Sequence, residues 1–278
     1  FSIILARLLS PSDYGIIAMV TIFFAVAQSF VDSGFSNALV RKTDRVEEDL
    51  STCFYFNIGV GIIAYIVLFL IAPLVANFYS QPILSPIIRI TGLGVILNSL
   101  CVVQQALFTI KIDFKSQAKI TLSATVISGI VGIILAYQGY GIWALVWQGV
   151  ASSIVRMGLL WLMSKWRHRT GFSKSSFNYL FGYGSKLLVS GLLDTIYNNI
   201  YPIVIGKFYN PAQLGNYSRA LGWAQLPSAN ITSILQRVTF PVLSAIQDDT
   251  LRLQNSYRRL LKLSAFIVFP LMMGLAAI

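Results

Sequence analysis

The chain has 278 residues, 56% of them hydrophobic and only 11% charged, with a mean hydropathy of +0.71. Soluble domains carry about 25% charged residues, so this composition belongs in lipid and the useful unit of organisation is the membrane span. The formal charge of +11 does not point to nucleic acid, because the basic residues are scattered between apolar runs, as the positive-inside rule requires of cytoplasmic loops.

A helix crosses a hydrocarbon core about 30 Å thick with about 20 apolar residues. Phe1 to Leu9 reads as the tail of a first span. Complete spans are predicted at 14–40, 52–76, 87–110, 120–137, 142–164, 187–206 and 217–240, and a last one opens near 260. Phe1 begins inside an apolar run without an initiator methionine, and Ile278 ends inside another. The expectation is therefore an internal piece of a longer protein, with about nine spans of which seven are whole.

The connections alternate in character. One set is short and poor in cations: S-P-S-D at 10–13, N-F-Y-S-Q-P at 77–82, Q-G-Y-G at 138–141 and the turn at Pro211. The other set comprises 41–49, 111–119, the loop from Lys165 to Lys186, and 237–262. These four hold three, three, five and five Lys and Arg residues. That asymmetry assigns the second set to the cytoplasm. Residues 165–186, aromatic and basic, are expected to form an amphipathic helix on the cytoplasmic surface, linking two lobes.

R-L-L-S-P-S-D-Y-G at 7–15 returns as K-F-Y-N-P-A-Q-L-G at 207–215, an offset of 200 residues. Pro11 matches Pro211 and Gly15 matches Gly215. Each copy ends one apolar run and begins another, as a duplicated membrane hairpin would. The predicted architecture is all-α: a first lobe over 1–164, the linker over 165–186 and a second lobe over 187–278. The lobes are related as parallel repeats about an axis along the membrane normal, and equal orientation requires an even number of spans, here six, per repeat.

A charge at mid-helix costs about 2.5–3.5 kcal/mol on insertion scales, so such residues face a cavity or a partner. Asp32, Arg156 and Asp194 each lie eight or nine residues from a cytoplasmic span end, at a depth of about 12 Å for a rise of 1.5 Å per residue. They are candidates to meet in the interior, either lining a cargo cavity or pairing as a structural salt bridge. Gln28, Asp32 and Ser36 share one helix face, as do Asp194, Asn198 and Tyr201. Other spans carry Asn98, Gln104, Gln105, Gln225 and Asn230; amides also hold transmembrane helices together. Arg89 and Arg219 would add cationic character suited to phosphate, although both sit near external ends, where snorkelling to headgroups explains them equally well.

Catalytic constellations do not appear. Cys53 and Cys101 lie in apolar segments and His168 is the single histidine, which leaves no disulfide framework and no metal-ligand spacing. No phosphate-binding loop is present and the external connections are short, which disfavours an ATP-driven pump and an enzyme such as a glycan polymerase. Neither a cofactor nor a metal is expected.

L-A-R-L-L-S-P-S-D-Y-G-I-I-A-M at 5–19, V-D-S-G-F-S-N-A-L-V-R at 31–41 and I-G-K-F-Y-N-P-A-Q-L-G-N-Y-S-R-A at 205–220 resemble the multidrug/oligosaccharidyl-lipid/polysaccharide exporter superfamily. The resemblance is closest to its bacterial polysaccharide and O-antigen (Wzx-like) flippases. It implies a MATE-like fold of twelve to fourteen helices in two bundles around a partly cationic cavity. The implied activity is flipping undecaprenyl-pyrophosphate-linked repeat units across the bacterial inner membrane, with an ion-coupled multidrug or metabolite antiporter as the alternative. The implied partners are the lipid-linked oligosaccharide, membrane lipids and polysaccharide polymerase or export machinery. Only the general pattern carries over to Arg156, Asp32 and Asp194, because the family has no strict catalytic motif.

Overall fold

Every regular element of the computed structural model is a helix, over the residues it describes: 1–32, 34–42, 44–164, 166–167, 171–225 and 250–276. The elements are α1 (Ser2–Leu8), α2 (Pro11–Asp32), α3 (Phe35–Arg41), α4 (Glu47–Phe78), α5 (Leu84–Ser99), α6 (Val102–Ile110), α7 (Phe114–Tyr137), α8 (Ile142–Met163), α9 (Lys174–Phe208), α10 (residues 211–225) and α11 (Thr250–Ala276). They divide into two compact units, Phe1–Gly215 and Asn216–Ile278. Four helical stretches are long and apolar enough to cross a membrane: Pro11–Arg41, Glu47–Phe78, Phe114–Tyr137 and Ile142–Met163. The bent pair Leu84–Ser99 and Val102–Ile110 makes a fifth. Ile63, Leu70, Leu74 and Leu122 point their side chains outward from these helices, each more than 60% exposed. In water that would be a liability; in lipid it is the expected surface. The chain is an all-α polytopic membrane protein.

Three predicted spans, at 52–76, 120–137 and 142–164, correspond to α4, α7 and α8. Two others are broken. The span expected over 14–40 is two helices that meet at Gly34, whose φ of +69° is a conformation L-residues adopt at a cost. A Cβ there would also press on the Gly184 backbone and Leu187, at 2.6–2.9 Å. The span expected over 87–110 bends by 43° between α5 and α6. Here Trp161 Nε1 donates to the Leu100 carbonyl at 3.1 Å, while Ser99 Oγ and Cys101 Sγ donate to the carbonyls of Ile96 and Leu97. Side chains thereby take over carbonyls at the break.

A third difference concerns residues 165–186. Instead of a separate surface helix before a span at 187, residues 174–208 form one 35-residue helix, α9, which falls short of the apolarity of the other spans over the stretch containing Asp194, Asn198 and Asn199. Its first turns dock on α3 and α4. Phe35 stacks on Phe56 with ring centroids 4.2 Å apart and lies 5.9 Å from Phe177. Leu180 is fully buried in the same cluster. Ser173 N donates to Thr52 Oγ1 at 2.9 Å. Arg41 and Lys42 lie over the rings of Tyr183 and Tyr179 at 4.7 and 5.0 Å, and Lys42 Nζ pairs with buried Asp49 at 2.7 Å. The Asp49 carboxylate also accepts from Val46 N at the start of α4, so one acidic side chain caps a helix and anchors a cation. The hydrogen bond from Lys42 to Asp49 raises the Lys42 pKa above the ordinary lysine value. His168, Asn230 and the expected span segment at 226–240 lie outside the described residues.

The 200-residue echo has a local explanation. At α2, Ser10 Oγ accepts from Asp13 N at 3.2 Å, and Asp13 Oδ2 accepts from Ser10 N at 2.9 Å. At α10, Asn210 Oδ1 accepts from Gln213 N at 2.8 Å, and Gln213 Oε1 accepts from Asn210 N at 3.4 Å. Both are reciprocal capping boxes, with proline at the first helical position, where its missing N–H costs nothing. The two helix starts also cross. A Cβ on Gly15 would collide with the Pro211 carbonyl, and a Cβ on Gly215 would collide with the Pro11 carbonyl. Contact is by backbone on both sides, so no side chain can move aside.

Gly15→Ala or Gly215→Ala is therefore expected to destabilise the protein by at least the ~1–3 kcal/mol typical of overpacking, measured as a lower thermal midpoint in detergent. Gly59→Ala, with open space around it, is expected to be neutral or slightly stabilising, as helix propensity dictates.

Candidate functional site

The two helix breaks border one cavity of about 470 Å³. α2 contributes Gln28 and Asp32, α3 contributes Ser36 and Asn37, α5 contributes Asn98, and the α5–α6 bend contributes Cys101 and Val102. Gln105 of α6 and Arg156 of α8 complete the lining. Seven of these nine side chains carry an amide, a hydroxyl or a charge, in helices that are otherwise apolar. In membrane proteins irregular backbone is tolerated where it lines a cavity, and broken helices commonly mark the binding sites of transporters.

Two hydrogen-bonded arms organise the walls. On one, Asn98 Nδ2 donates to Gln28 Oε1 at 3.2 Å, and Gln28 Nε2 donates to Asp32 Oδ1 at 3.0 Å. The carboxylate can only accept, so it turns the Gln28 amide toward it, and that leaves the Gln28 carbonyl for Asn98. On the other, Arg156 Nη2 donates to Gln105 Oε1 at 2.9 Å. Between described residues the one ion pair within 4 Å is Lys42–Asp49. The salt bridge entertained for Arg156 with Asp32 or Asp194 is not formed. Each charge is held instead by a neutral amide, with no described donor on Asp32 Oδ2 and no described acceptor on the other Arg156 N–H groups.

Of the residues singled out from sequence, Gln28, Asp32 and Arg156 come together here, with Ser36, Asn98 and Gln105 from the polar positions also noted. Asp194 and Asn198 do not line the cavity. Both are exposed on α9, and Asn198 Nδ2 donates to the Asp194 backbone carbonyl at 2.9 Å. Their neighbour Thr195 makes the contact with α2 instead, through Ser29 Oγ at 2.9 Å. Arg89 lies elsewhere, its guanidinium 4.3 Å from the Phe69 ring centre. Arg219 belongs to the second unit. Pro11, Gly15, Pro211 and Gly215 form the crossing already described. Asn37 is the main addition, and Gln105 gains a role that the sequence did not assign it. Gln105 was visible as a polar residue in an apolar run, but nothing in its spacing distinguishes an amide that orients an arginine from one that joins helices.

No group of three or more His, Cys, Asp or Glu side chains capable of holding a metal occurs among the described residues. A second cavity, about 500 Å³ between α2 and α4, is lined entirely by apolar side chains including Phe23, Phe30, Ile63 and Val67.

In a background with Cys53 and Cys101 replaced by alanine, Ser36→Cys is expected to react with a charged, membrane-impermeant thiol reagent. Ile63→Cys is expected to resist it at least tenfold more. Equal rates at the two positions would mean that the polar cavity is not hydrated.

Comparison with known proteins completes the picture. Residues 4–278 match the family model described as polysaccharide biosynthesis protein. The chain is 24% identical over 281 residues to the lipopolysaccharide biosynthesis protein WzxC of Escherichia coli (strain K12), covering 99% of this chain and 56% of that protein. It is 27% identical over 254 residues to the teichuronic acid biosynthesis protein TuaB of Bacillus subtilis (strain 168), covering 91% and 53% respectively. It is 24% identical over 275 residues to the succinoglycan biosynthesis transport protein ExoT of Rhizobium meliloti (strain 1021), covering 99% and 56%. The chain thus spans about half the length of the curated relatives it matches. No solved structure matches it. With the family model covering nearly the whole chain, the protein belongs to the polysaccharide biosynthesis family, the Wzx-like group of the multidrug/oligosaccharidyl-lipid/polysaccharide superfamily that its sequence resembles.

Proposed function

We propose that the full-length protein moves a polyprenyl-pyrophosphate-linked oligosaccharide from the cytoplasmic to the external leaflet of the bacterial inner membrane, for surface polysaccharide assembly. The protein acts as a transporter in this reading, with membrane lipids around it and polysaccharide polymerase or export machinery receiving its product. The observation that carries the reading is the cavity itself, a polar, arginine-bearing chamber at two helix breaks in an apolar bundle. The names of the relatives, which concern lipopolysaccharide, teichuronic acid and succinoglycan, supply the class of cargo.

The chemistry is that of recognition and passage. Arg156 offers a planar fork of N–H donors for a phosphate, and Gln105 holds the guanidinium in place from one side. The amides and hydroxyls around it satisfy cargo groups that would otherwise enter the bilayer without hydrogen-bond partners, at a cost of several kcal/mol each. Asp32 keeps the chamber from being uniformly cationic, which favours release of an anion over permanent capture. The two lobes expected from the sequence repeat fit an alternating-access cycle.

Arg156→Gln in the full-length protein is expected to reduce surface polysaccharide at least tenfold while its level in the membrane is unchanged. Arg156→Lys, which keeps the charge and loses the fork, is expected to fall between the two. Normal polysaccharide in the Arg156→Gln strain contradicts the role of Arg156. In a deletion strain, lipid-linked repeat units are expected to accumulate in the cytoplasmic leaflet. Unaltered glycan with heightened drug sensitivity would favour the antiporter.

A further inference from the structure

The acidic arm of the cavity has a pattern that a phosphate does not need. From Asn98 through Gln28 to Asp32, two consecutive hydrogen bonds run in one direction across α5 and α2. Spare valences remain along that line. Asp32 Oδ2 is an acceptor, the Gln28 amide keeps a second N–H, and Asn98 keeps its carbonyl and a second N–H. The result is a wall on which acceptors and donors alternate. Anions are poorly served by it, because Asp32 repels them. Neighbouring hydroxyls, each of which donates once and accepts, are matched to it, since every hydroxyl finds a partner for its proton and one for its lone pairs. Arg156 occupies a different wall and is held back by Gln105 rather than by Asp32, so both walls are open to one ligand. A volume of about 470 Å³ lies in the range of small-molecule sites, about 300–1,000 Å³; a compact sugar suits it better than an extended chain.

We infer that Asp32, Gln28 and Asn98 form a saccharide subsite that reads the hydroxyls of the sugar next to the phosphate held by Arg156. The inference rests on the proposed transport of a lipid-linked glycan and adds to it a means of selection. The three side chains set which proximal sugar is accepted, whereas Arg156 sets that a phosphate is required. A hydrogen-bonding wall is also the kind that discriminates strongly, because an analogue with a missing or inverted hydroxyl leaves buried polar groups unpaired.

The test uses the purified full-length protein in lipid nanodiscs and equilibrium binding of defined probes: an isoprenoid pyrophosphate with no sugar, and the same lipid carrying glucose, galactose or N-acetylglucosamine. The wild type is expected to prefer one sugar-bearing probe at least tenfold over the sugar-free one and over an epimer. Asn98→Leu and Asp32→Asn are each expected to lose most of the preference over the epimer, and Asp32→Asn, which removes the charge that repels an anion, is expected to bind the sugar-free probe at least as tightly as wild type. Asn98→Gln, which keeps the amide, is expected to retain part of the preference. Since each ratio is measured on a single protein, a variant that merely folds less well weakens all probes together and leaves its ratio unchanged. An unchanged ratio in Asn98→Leu and Asp32→Asn overturns the inference. Arg156→Gln is expected to weaken every pyrophosphate probe at least tenfold. If it weakens none, the proposed transport reading fails, whatever the sugar ratios show.

Discussion

Inside a bilayer a backbone amide or carbonyl has no water to turn to, so a membrane helix can break only where something else satisfies the freed groups. This constraint organises the first unit. The α2–α3 break rests on Gly34, which accepts a positive φ and lets α9 approach its backbone closely. The α5–α6 break rests on Trp161, whose indole N–H takes the Leu100 carbonyl. Between the two breaks lies the polar cavity, with Asp32 and Gln28 just before one and Asn98 just before the other. The breaks and the site are therefore one feature.

The opposite end of α2 is fixed in a different way. Pro11 and Gly15 cross Pro211 and Gly215 backbone to backbone, and each helix start carries its own capping box. Helices approach this closely only through glycine, as in small-residue membrane packing. α2 is consequently pinned at its start and broken at its other end, next to the Gln28–Asp32 pair. The first turns of α9, held by the Phe35–Phe56–Phe177 rings and the cation–aromatic contacts of Arg41 and Lys42, brace the broken end. One helix thus connects the repeat crossing to the chamber.

Much of this was legible in the sequence, and the gaps have physical causes. Gln28 and Asp32 were visible because i, i+4 spacing places them on one face, and Arg156 because an arginine is costly in lipid. Asp194 was placed at the same depth by counting residues. Counting gives height along the membrane normal and says nothing of rotation about the helix axis, and α9 turns Thr195 toward α2 while Asp194 stays exposed. The break at Leu100 has no proline or glycine to announce it, and the group that takes its carbonyl is an indole 61 residues away. Continuity of α9 was hidden for the opposite reason. Its basic and aromatic opening looks like a separate surface helix, whereas it packs on α3 and α4 and runs on to Phe208 without a turn. The repeat was read from Pro11, Gly15 and their counterparts; the reciprocal collision that explains the glycines depends on a tertiary contact.

The central claim is that the chamber between the two breaks is where cargo binds. The most direct measurement is the rate at which a charged thiol reagent modifies Asn37→Cys in the full-length protein, in a background with alanine at positions 53 and 101, with and without an isoprenoid pyrophosphate-linked glycan. Saturating glycolipid is expected to slow modification at least fivefold, while the corresponding isoprenoid alcohol, which has neither phosphate nor sugar, leaves the rate unchanged. Modification at the same rate with and without saturating glycolipid would contradict the assignment of this cavity as the cargo site.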